Sequence, residues 1–437
     1  MSRRRYPAAR ASGIVDGTLG RVVVVGASVA GLAAAETLRR SGHRGSITLV
    51  DSEPGPGYDR PPLSKELLSG ALAPDGIALR SAAERGALEL DTRYGSAAVG
   101  VHLDSSILAL FDGSEVPYDG LVIATGVRPR TLPGVPALVL RTLDDAMVLK
   151  DRIVPGLKLV VVGAGFLGAE VAASAVALGA DVTVLEPAAV PLAHVVGEVV
   201  GGMLAEVHRG HGVDLRTGVA VAEIVADGVR LDDGTVVKAD AVVVAIGSLP
   251  NTEWLAGSGL AVDNGVVCDE FCAAAPGVYA AGDVARWNNQ LFGASMRVEH
   301  RTNAAEQGMA AARNLLGAGR AFSPVPYFWS DQYDLKLKAY GYLPGFDEVQ
   351  IVAGSVEERR FTAVYRRGNY LCGVLSLGMP PSSLRPWQKA IASRIPWLES
   401  VPHTSHRALS EGSTGATNTV NASPRAVAAR VTTSIDG

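Results

Sequence analysis

A strand, glycine turn and helix that occurs twice constrains this chain more than any other feature. Arg21-Val-Val-Val-Val-Gly26-Ala-Ser28-Val-Ala30-Gly31 runs into Leu-Ala-Ala-Ala-Glu-Thr-Leu-Arg-Arg, and Ser46-Ile-Thr-Leu-Val-Asp51 follows. Four consecutive valines predict a strand buried on both faces, as in a parallel sheet, and the alanine-rich run predicts a helix that ends at Gly42. The whole forms a βαβ unit of about 30 residues. The pattern returns at Leu157-Lys-Leu-Val-Val-Val-Gly163-Ala-Gly165-Phe166-Leu167-Gly168-Ala-Glu170, with a helix through Leu178 and a strand Asp181-Val-Thr-Val-Leu-Glu186. Gly163 stands 137 residues after Gly26, a domain's length. The chain therefore reads as a duplicated nucleotide-binding fold and not as a short solenoid repeat.

The glycines have a physical reason. A helix N-terminus holds a pyrophosphate with backbone N–H groups and its partial positive end, provided that no side chain blocks the approach. The second turn matches G-x-G-x-x-G fully and has Glu186 at the next strand end to bond a ribose hydroxyl. In the first turn Ser28 replaces the middle glycine, and Asp51 is the acidic residue that follows. A lone turn of this kind can be packing alone, but two in full βαβ context predict dinucleotide binding at both. Two dinucleotides on one chain suggest a flavin and a nicotinamide cofactor, because FAD accepts a hydride and releases single electrons.

Further strand-like segments end in glycine: Gly120-Leu-Val-Ile-Ala124-Thr125-Gly126, Ala239-Asp-Ala-Val-Val-Val-Ala-Ile-Gly247 and Gly277-Val-Tyr-Ala-Ala-Gly282-Asp283, then a helix-like stretch from Thr302 to Leu316. From Pro326 the texture becomes aromatic and alternating, which predicts antiparallel strands. The expected fold class is α/β, with two Rossmann-like dinucleotide-binding domains and a C-terminal α+β domain. The expected boundaries are a flexible arm at 1–20, an FAD domain from 21–125 and 255–325, an inserted NAD domain at 126–254, a C-terminal interface domain at 326–405, and a disordered tail at 406–437. The tail is expected from its Ser, Thr, Ala and Gly content without periodicity.

Composition excludes other classes. With 437 residues, 48% hydrophobic and 50 glycines, the chain is a folded, multidomain α/β protein. A net charge of −4 does not suggest a nucleic-acid partner. The apolar runs, of which Val22 to Ala35 is among the longest, fall short of the roughly 20 residues of a membrane helix. The protein is expected to be soluble, and Met1-Ser-Arg-Arg-Arg, with no apolar segment of an export signal after it, reads as a loose arm. The cysteine usage reads as a reducing cytoplasm, and a monomer or weak homodimer is expected. Cys268, Cys272 and Cys372 form no disulfide framework or metal-ligand spacing. No cysteine precedes Cys268, so a dithiol reductase is not expected, and no metal site is expected.

The chain resembles the FAD-dependent pyridine-nucleotide oxidoreductases, and within them the putidaredoxin reductase-like group of ferredoxin reductases, over about residues 21 to 400. Besides both turns, the resemblance rests on Tyr58-Asp-Arg60-Pro61-Pro62-Leu-Ser64-Lys65, Ala124-Thr125-Gly126, Leu140-Arg141-Thr-Leu, Tyr279-Ala-Ala-Gly282-Asp283-Val, Val298-Glu299-His300-Arg301-Thr-Asn303 and Tyr327-Phe-Trp329-Ser-Asp331-Gln332-Tyr333-Asp. It implies a reductase passing electrons from NADH through FAD to a two-iron ferredoxin that serves a haem monooxygenase or ring-hydroxylating dioxygenase. It also implies Lys65 beside the reactive flavin edge, Glu170 opposite it beside the nicotinamide, Asp283 on the flavin ribityl or phosphate chain and Arg141 as a cofactor contact. The further implied contacts are Arg60, Ala98, Gly247, Glu299, His300, Arg301 and Trp329, with Phe166 and Leu167 in the second turn.

Departures leave points open. Asp51-Ser52-Glu53 stands where the family usually has Gly and then an acidic or small residue, so either Asp51 or Ser52 meets the adenosine ribose. Position 301 is Arg where many relatives have Trp. Ala188 to Val190 carries no Arg, so NADH is expected over NADPH. Alternative outlets on the same scaffold are quinone, oxygen or a small radical acceptor, or a redox-gated flavoprotein of the apoptosis-inducing-factor type. A basic patch of Arg297, Arg301, Lys336 and Lys338 is expected to dock an acidic ferredoxin.

Overall fold

The computed structural model describes residues 19–397. Most of the expected N-terminal arm and all of the expected tail lie outside them. The chain divides into two compact units. The first takes the chain up to Arg130 together with Arg141–Asp144 and Gly247–Ser323, and the second takes Thr131–Leu140, Asp145–Ile246 and the chain from Pro324.

The first unit is built on a six-stranded sheet in the order Ala273–Ala275, Val278–Ala280, Gly120–Ile123, Arg21–Val25, Ser46–Val50, Asp91–Arg93. Its strands come from both of the chain segments assigned to one domain on sequence grounds. All neighbours are parallel except the Ala273–Ala275 edge. Val24 sits between Leu49 and Val122, and Val22 to Val25 are at most 3% exposed, as the valine run demands. An antiparallel three-stranded sheet, Ala98–His102, Ile107–Leu110 and Glu115–Pro117, completes this part. Where the chain leaves and re-enters the unit, Val127–Pro129 pairs with Ser248–Pro250.

Helix Val29–Arg40 packs on helix Arg301–Leu315 because glycines let backbones touch. A Cβ on Gly308 would lie 2.1 Å from the Ala30 carbonyl oxygen, and one on Gly282, whose φ is +78°, would lie 2.9 Å from the Ala30 Cβ. Ala30 is thus boxed in by two glycines distant in sequence.

The second unit holds a parallel sheet in the order Asp214–Thr217, Asp181–Glu186, Lys158–Val162, Ala241–Val244. Beside it lies the three-stranded antiparallel Val221–Val225, Gly228–Leu231, Val236–Lys238. The C-terminal segment forms a five-stranded antiparallel sheet, Tyr327–Gln332, Leu335–Gly341, Tyr370–Leu377, Arg360–Arg367, Glu348–Ser355. Its inner face shares a core with helix Glu198–Gly210 and the turn before it: Val196, Val200, Leu204 and Val207 meet Leu337, Phe361, Tyr365 and Leu377. The Tyr365 hydroxyl, buried with its ring, donates to the Val196 carbonyl at 2.9 Å.

Gly308→Ala is expected to destabilise the protein by about 1–3 kcal/mol, since the added methyl overpacks two backbones. Gly202 also lies within a helix, but a Cβ there meets open space. Gly202→Ala is expected to be neutral or to stabilise by about 0.5–1 kcal/mol. Denaturant midpoints of the two variants check the contrast.

Candidate functional site

Each unit carries one glycine turn, and the two are built alike. In the first, Gly26 adopts φ +110° with its Cβ position 2.2 Å from the Ala124 carbonyl oxygen, and Gly31 has no room for a Cβ against the Gly26 carbonyl. In the second, Gly163 adopts φ +100° under the Ala245 carbonyl, and Gly168 closes on Gly163 in the same way. Ser28 and Gly165 start the two helices in extended conformation without a side-chain cap, and neither first turn holds an acidic residue. Both N-termini therefore present amides and positive dipole ends suited to a pyrophosphate.

The acidic residue after each turn is fixed by matching bonds. Asp51 accepts from the backbone N–H of Ala27 at 2.5 Å and of Glu53 at 2.8 Å. Glu186 accepts from Ala164 at 2.8 Å and Ala188 at 3.0 Å. In both copies the donors are the residue after the first glycine and the residue two past the acid. Asp51 thus stands in the first unit where Glu186 stands in the second, with Ser52 exposed beside it. A Cβ-free cradle, open helix amides and an acid held at the next strand end fit a dinucleotide at each turn.

The rest of the first unit's candidate residues converge in part. Arg141 pairs with Asp283 at 3.1 Å and lies over Gly126, 3.2 Å from its Cβ position. Gly282, before Asp283, donates its N–H to Gln307 Oε1 at 3.0 Å. Thr125 and Asn251 exchange side-chain and backbone bonds at 2.9 and 2.8 Å. Lys65, at the end of the 3-10 turn Pro61–Ser64, directs its ammonium to the Pro61 carbonyl at 3.1 Å. Arg60 pairs with Glu53 at 2.7 Å, and Tyr58 donates to the same carboxylate while accepting the Leu143 N–H at 2.8 Å. Ala124 is buried and Ala98 half-buried. Gly247 takes φ +94° at the chain's return. His300 starts helix Arg301–Leu315, and burial pushes its imidazole down to about 4, so it is neutral at pH 7.

In the second unit, Glu170 lies in helix Phe166–Ala177 and is 7% exposed, a location that a carboxylate tolerates only when hydrogen-bonded. Ser330 donates to its Oε1 at 2.7 Å. Phe166 meets Phe328 with ring centroids 5.1 Å apart, Trp329 stacks on Tyr327, and Leu167 is exposed.

The expected docking patch loses one member. Arg297 is only 12% exposed, pairs with Glu299 at 2.7 Å and donates to the Asp283 carbonyl at 3.0 Å, so its charge faces inward. Glu299 also accepts from Ser248 at 2.5 Å. Arg301, 38% exposed, pairs with Asp59 at 3.0 Å, and Lys336, 72% exposed, lies 3.9 Å from Asp331. Gln307, Asn251, Glu53 and Ser330 were not singled out in the sequence. Gln307 and Ser330 had a signal, a buried-side amide one turn after Asn303 and a hydroxyl at a core-facing position of an alternating strand. Asn251 and Glu53 had none. Cys268, Cys272 and Cys372 are buried free thiols, and burial raises the pKa of each. Among the described residues no group of acidic, His and Cys side chains could hold a metal ion, and no helix is long and apolar enough to cross a membrane.

Comparison with known proteins agrees with this geometry. Residues 20–308 match the family described as pyridine nucleotide-disulphide oxidoreductase, and residues 327–401 match the reductase C-terminal family. Rhodocoxin reductase of Rhodococcus erythropolis is 38% identical, covering 86% of this chain and 90% of that protein. The ferredoxin–NAD(+) reductase component of the anthranilate 1,2-dioxygenase system of Burkholderia cepacia is 39% identical over 78% of this chain and 86% of its own length. The crystal structure of the covalent putidaredoxin reductase–putidaredoxin complex matches with a TM-score of 0.82 at 35% identity, covering 86% of this chain and 94% of the matched one. With two dinucleotide turns, an antiparallel C-terminal sheet and these matches over most of its length, the chain belongs to the pyridine nucleotide-disulphide oxidoreductase family and carries its reductase C-terminal domain.

Proposed function

We propose that this protein is a cytoplasmic FAD-dependent reductase that moves electrons from NADH to a two-iron ferredoxin serving a haem monooxygenase or a ring-hydroxylating dioxygenase. The observation that carries the reading is the pair of glycine turns, one per unit, each with its carboxylate fixed by the same two amides. The relatives' names support the acceptor, since one is a ferredoxin–NAD(+) reductase component and one solved relative is covalently joined to putidaredoxin. When bound, FAD would supply the chemistry that joins a hydride donor to a one-electron acceptor.

The chain's own residues bind and orient. In the first unit the amides following Gly26 take the flavin pyrophosphate and Asp51 takes the adenosine ribose. Arg141 and Asp283 form a pair beside Gly126 that fixes the flavin chain, and Lys65 lies at the ring edge. In the second unit the Gly163–Gly168 turn takes the NADH pyrophosphate, Glu186 the ribose hydroxyls, and Glu170 faces the nicotinamide. No side chain is required to move a proton in the hydride step. The work is positioning, whose contribution reaches about 7–11 kcal/mol in well-oriented reactions.

On anaerobic mixing with NADH, the visible absorbance of the oxidised flavin is expected to bleach. Reduction of cytochrome c is then expected to depend on added two-iron ferredoxin. Flavin that stays oxidised would end the reading. Turnover with quinone or oxygen at the ferredoxin rate would move it to another acceptor, and slow turnover with a long-lived reduced complex would move it to a redox-gated switch.

Glu186 also sets the coenzyme. Its carboxylate, locked between two amides, repels a ribose 2′-phosphate, and Ala188, Ala189 and Val190 supply no guanidinium. The kcat/KM for NADH is expected to exceed that for NADPH. Glu186→Ala is expected to narrow the ratio by roughly ten-fold, or about 1.4 kcal/mol, mainly through a higher KM for NADH.

A further inference from the structure

The strand Tyr327–Gln332 alternates, so Ser330 and Gln332 share the face opposite Trp329 and Asp331. Both are buried, at 1% and 2% exposure, as are Glu170 at 7% and His208 at 6%. They come from three elements of the second unit: helix Phe166–Ala177, helix Glu198–Gly210 and this strand. Ser330 Oγ lies 2.7 Å from Glu170 Oε1, Gln332 Nε2 lies 3.2 Å from Ser330 Oγ, and His208 Nε2 lies 3.0 Å from Gln332 Oε1. The Tyr333 hydroxyl lies 3.0 Å from His208 Nδ1.

Only one proton arrangement satisfies every group with a neutral imidazole. Burial lowers the pKa of His208, which leaves the ring one donor and one acceptor. Gln332 Oε1 can only accept, so His208 Nε2 carries the hydrogen and Nδ1 accepts from Tyr333. Gln332 Nε2 then donates to Ser330, and the Ser330 hydroxyl has its hydrogen free for the carboxylate. Four donors in sequence point the same way, from Tyr333 toward Glu170. Bonds aligned in this way polarise one another in a low-dielectric interior.

We propose that Ser330 and Gln332 are positioning residues for Glu170: the aligned chain Tyr333, His208, Gln332, Ser330 holds one oxygen of that carboxylate in place so that the other edge meets the nicotinamide carboxamide. The proposal rests on the reading that Glu170 faces the nicotinamide. It makes the C-terminal sheet, through two alternate residues of one strand, a part of the second dinucleotide site. Ser330 acts through Glu170 and touches no reacting atom.

The test uses the full-length, flavin-loaded protein and three readouts: NAD+ binding by titration, the long-wavelength charge-transfer absorbance of the reduced protein with NAD+, and the single-turnover rate of reduction by NADH. Ser330→Ala is expected to slow reduction about ten-fold, within the roughly hundred-fold cost of a misplacement of about 1 Å, and to weaken NAD+ binding and the charge-transfer band. Ser330→Thr, which keeps the hydroxyl, is expected to restore all three. In a Glu170→Gln background Ser330→Ala is expected to cost less than about two-fold, because its route is already lost. Wild-type readouts for Ser330→Ala, or an undiminished loss in the Glu170→Gln background, would overturn the proposal and leave the reading of Glu170 intact. A Glu170→Gln variant with unaltered NAD+ binding and reduction would overturn both. If Ser330→Ala does not fold, Gln332→Met, which keeps the hydroxyl but removes the group that orients it, decides the same question with an expected loss of about three-fold.

Discussion

Close approach of backbone carbonyls to glycine Cα atoms is the constraint on which both nucleotide turns depend. At Gly26 and Gly163 the neighbouring strand's carbonyl occupies the place of a Cβ, and at Gly31 and Gly168 the helix folds back onto the turn's own carbonyl. This puts the first helical amides directly over the strand ends. It also brings the turn within reach of the acid on the next strand, which bonds the amide after the first glycine in each copy. In the first unit the same device is used again from a distance. Gly282 and Gly308 both close on Ala30, so the start of helix Val29–Arg40 and the Gly282-Asp283 element hold each other in place across more than 250 residues of sequence. Asp283 is thereby fixed relative to the first turn before any side-chain bond is counted.

The C-terminal sheet is tied to the second βαβ motif by two kinds of interaction with different purposes. The apolar contact of Val200, Leu204 and Val207 with Leu337, Phe361 and Leu377 is non-directional and supplies most of the attraction, at about 25 cal/mol per Å² of apolar surface buried. The line from Tyr333 to Glu170 adds little net stability, since each of its bonds replaces one to water. What it supplies is registry. A one-residue slip of strand Tyr327–Gln332 would turn Trp329 and Asp331 into the core and break the bonds of Ser330 to Glu170 and of Gln332 to His208. Burying polar groups here makes that alternative pairing costly.

Much of this was legible in the sequence, and the exceptions share a cause. Valine runs, glycine spacing and the acids at strand ends are local signals, and they place both turns, the parallel sheets and the antiparallel character of the C-terminal segment. The open choice between Asp51 and Ser52 is narrowed by the matching pattern at Glu186, which sequence spacing cannot supply because it depends on where two amides point. Arg297 read as a surface charge because one chain gives no burial. Its partner Glu299 is two residues away, but its burial comes from long-range packing around Asp283. The motif around Trp329 was recognisable as a string, yet the use of Ser330 and Gln332 depends on helices more than 100 residues earlier.

Arginine pairing around the first turn shows how the remaining charges are used. Arg301 reaches Asp59, the residue before Arg60, at 3.0 Å. Arg60 in turn holds Glu53, which also receives Tyr58, and Tyr58 accepts the N–H of Leu143, two residues past Arg141. With Arg141 on Asp283 and Arg297 on the Asp283 carbonyl, these contacts link four chain segments: 51–60, 141–143, 283 and 297–301. Partly exposed pairs of this kind contribute on the order of 0–1 kcal/mol each, so their effect on stability is small. Their effect on geometry is larger, because every segment they join carries a candidate flavin contact. Of the arginines expected to meet an acidic partner, Arg297 is therefore committed within the unit, whereas Arg301 remains 38% exposed beside Asp59. The inward charge of Arg297 instead ties the 297–301 segment to the Asp283 backbone, which is a use of arginine that surface exposure alone would not reveal.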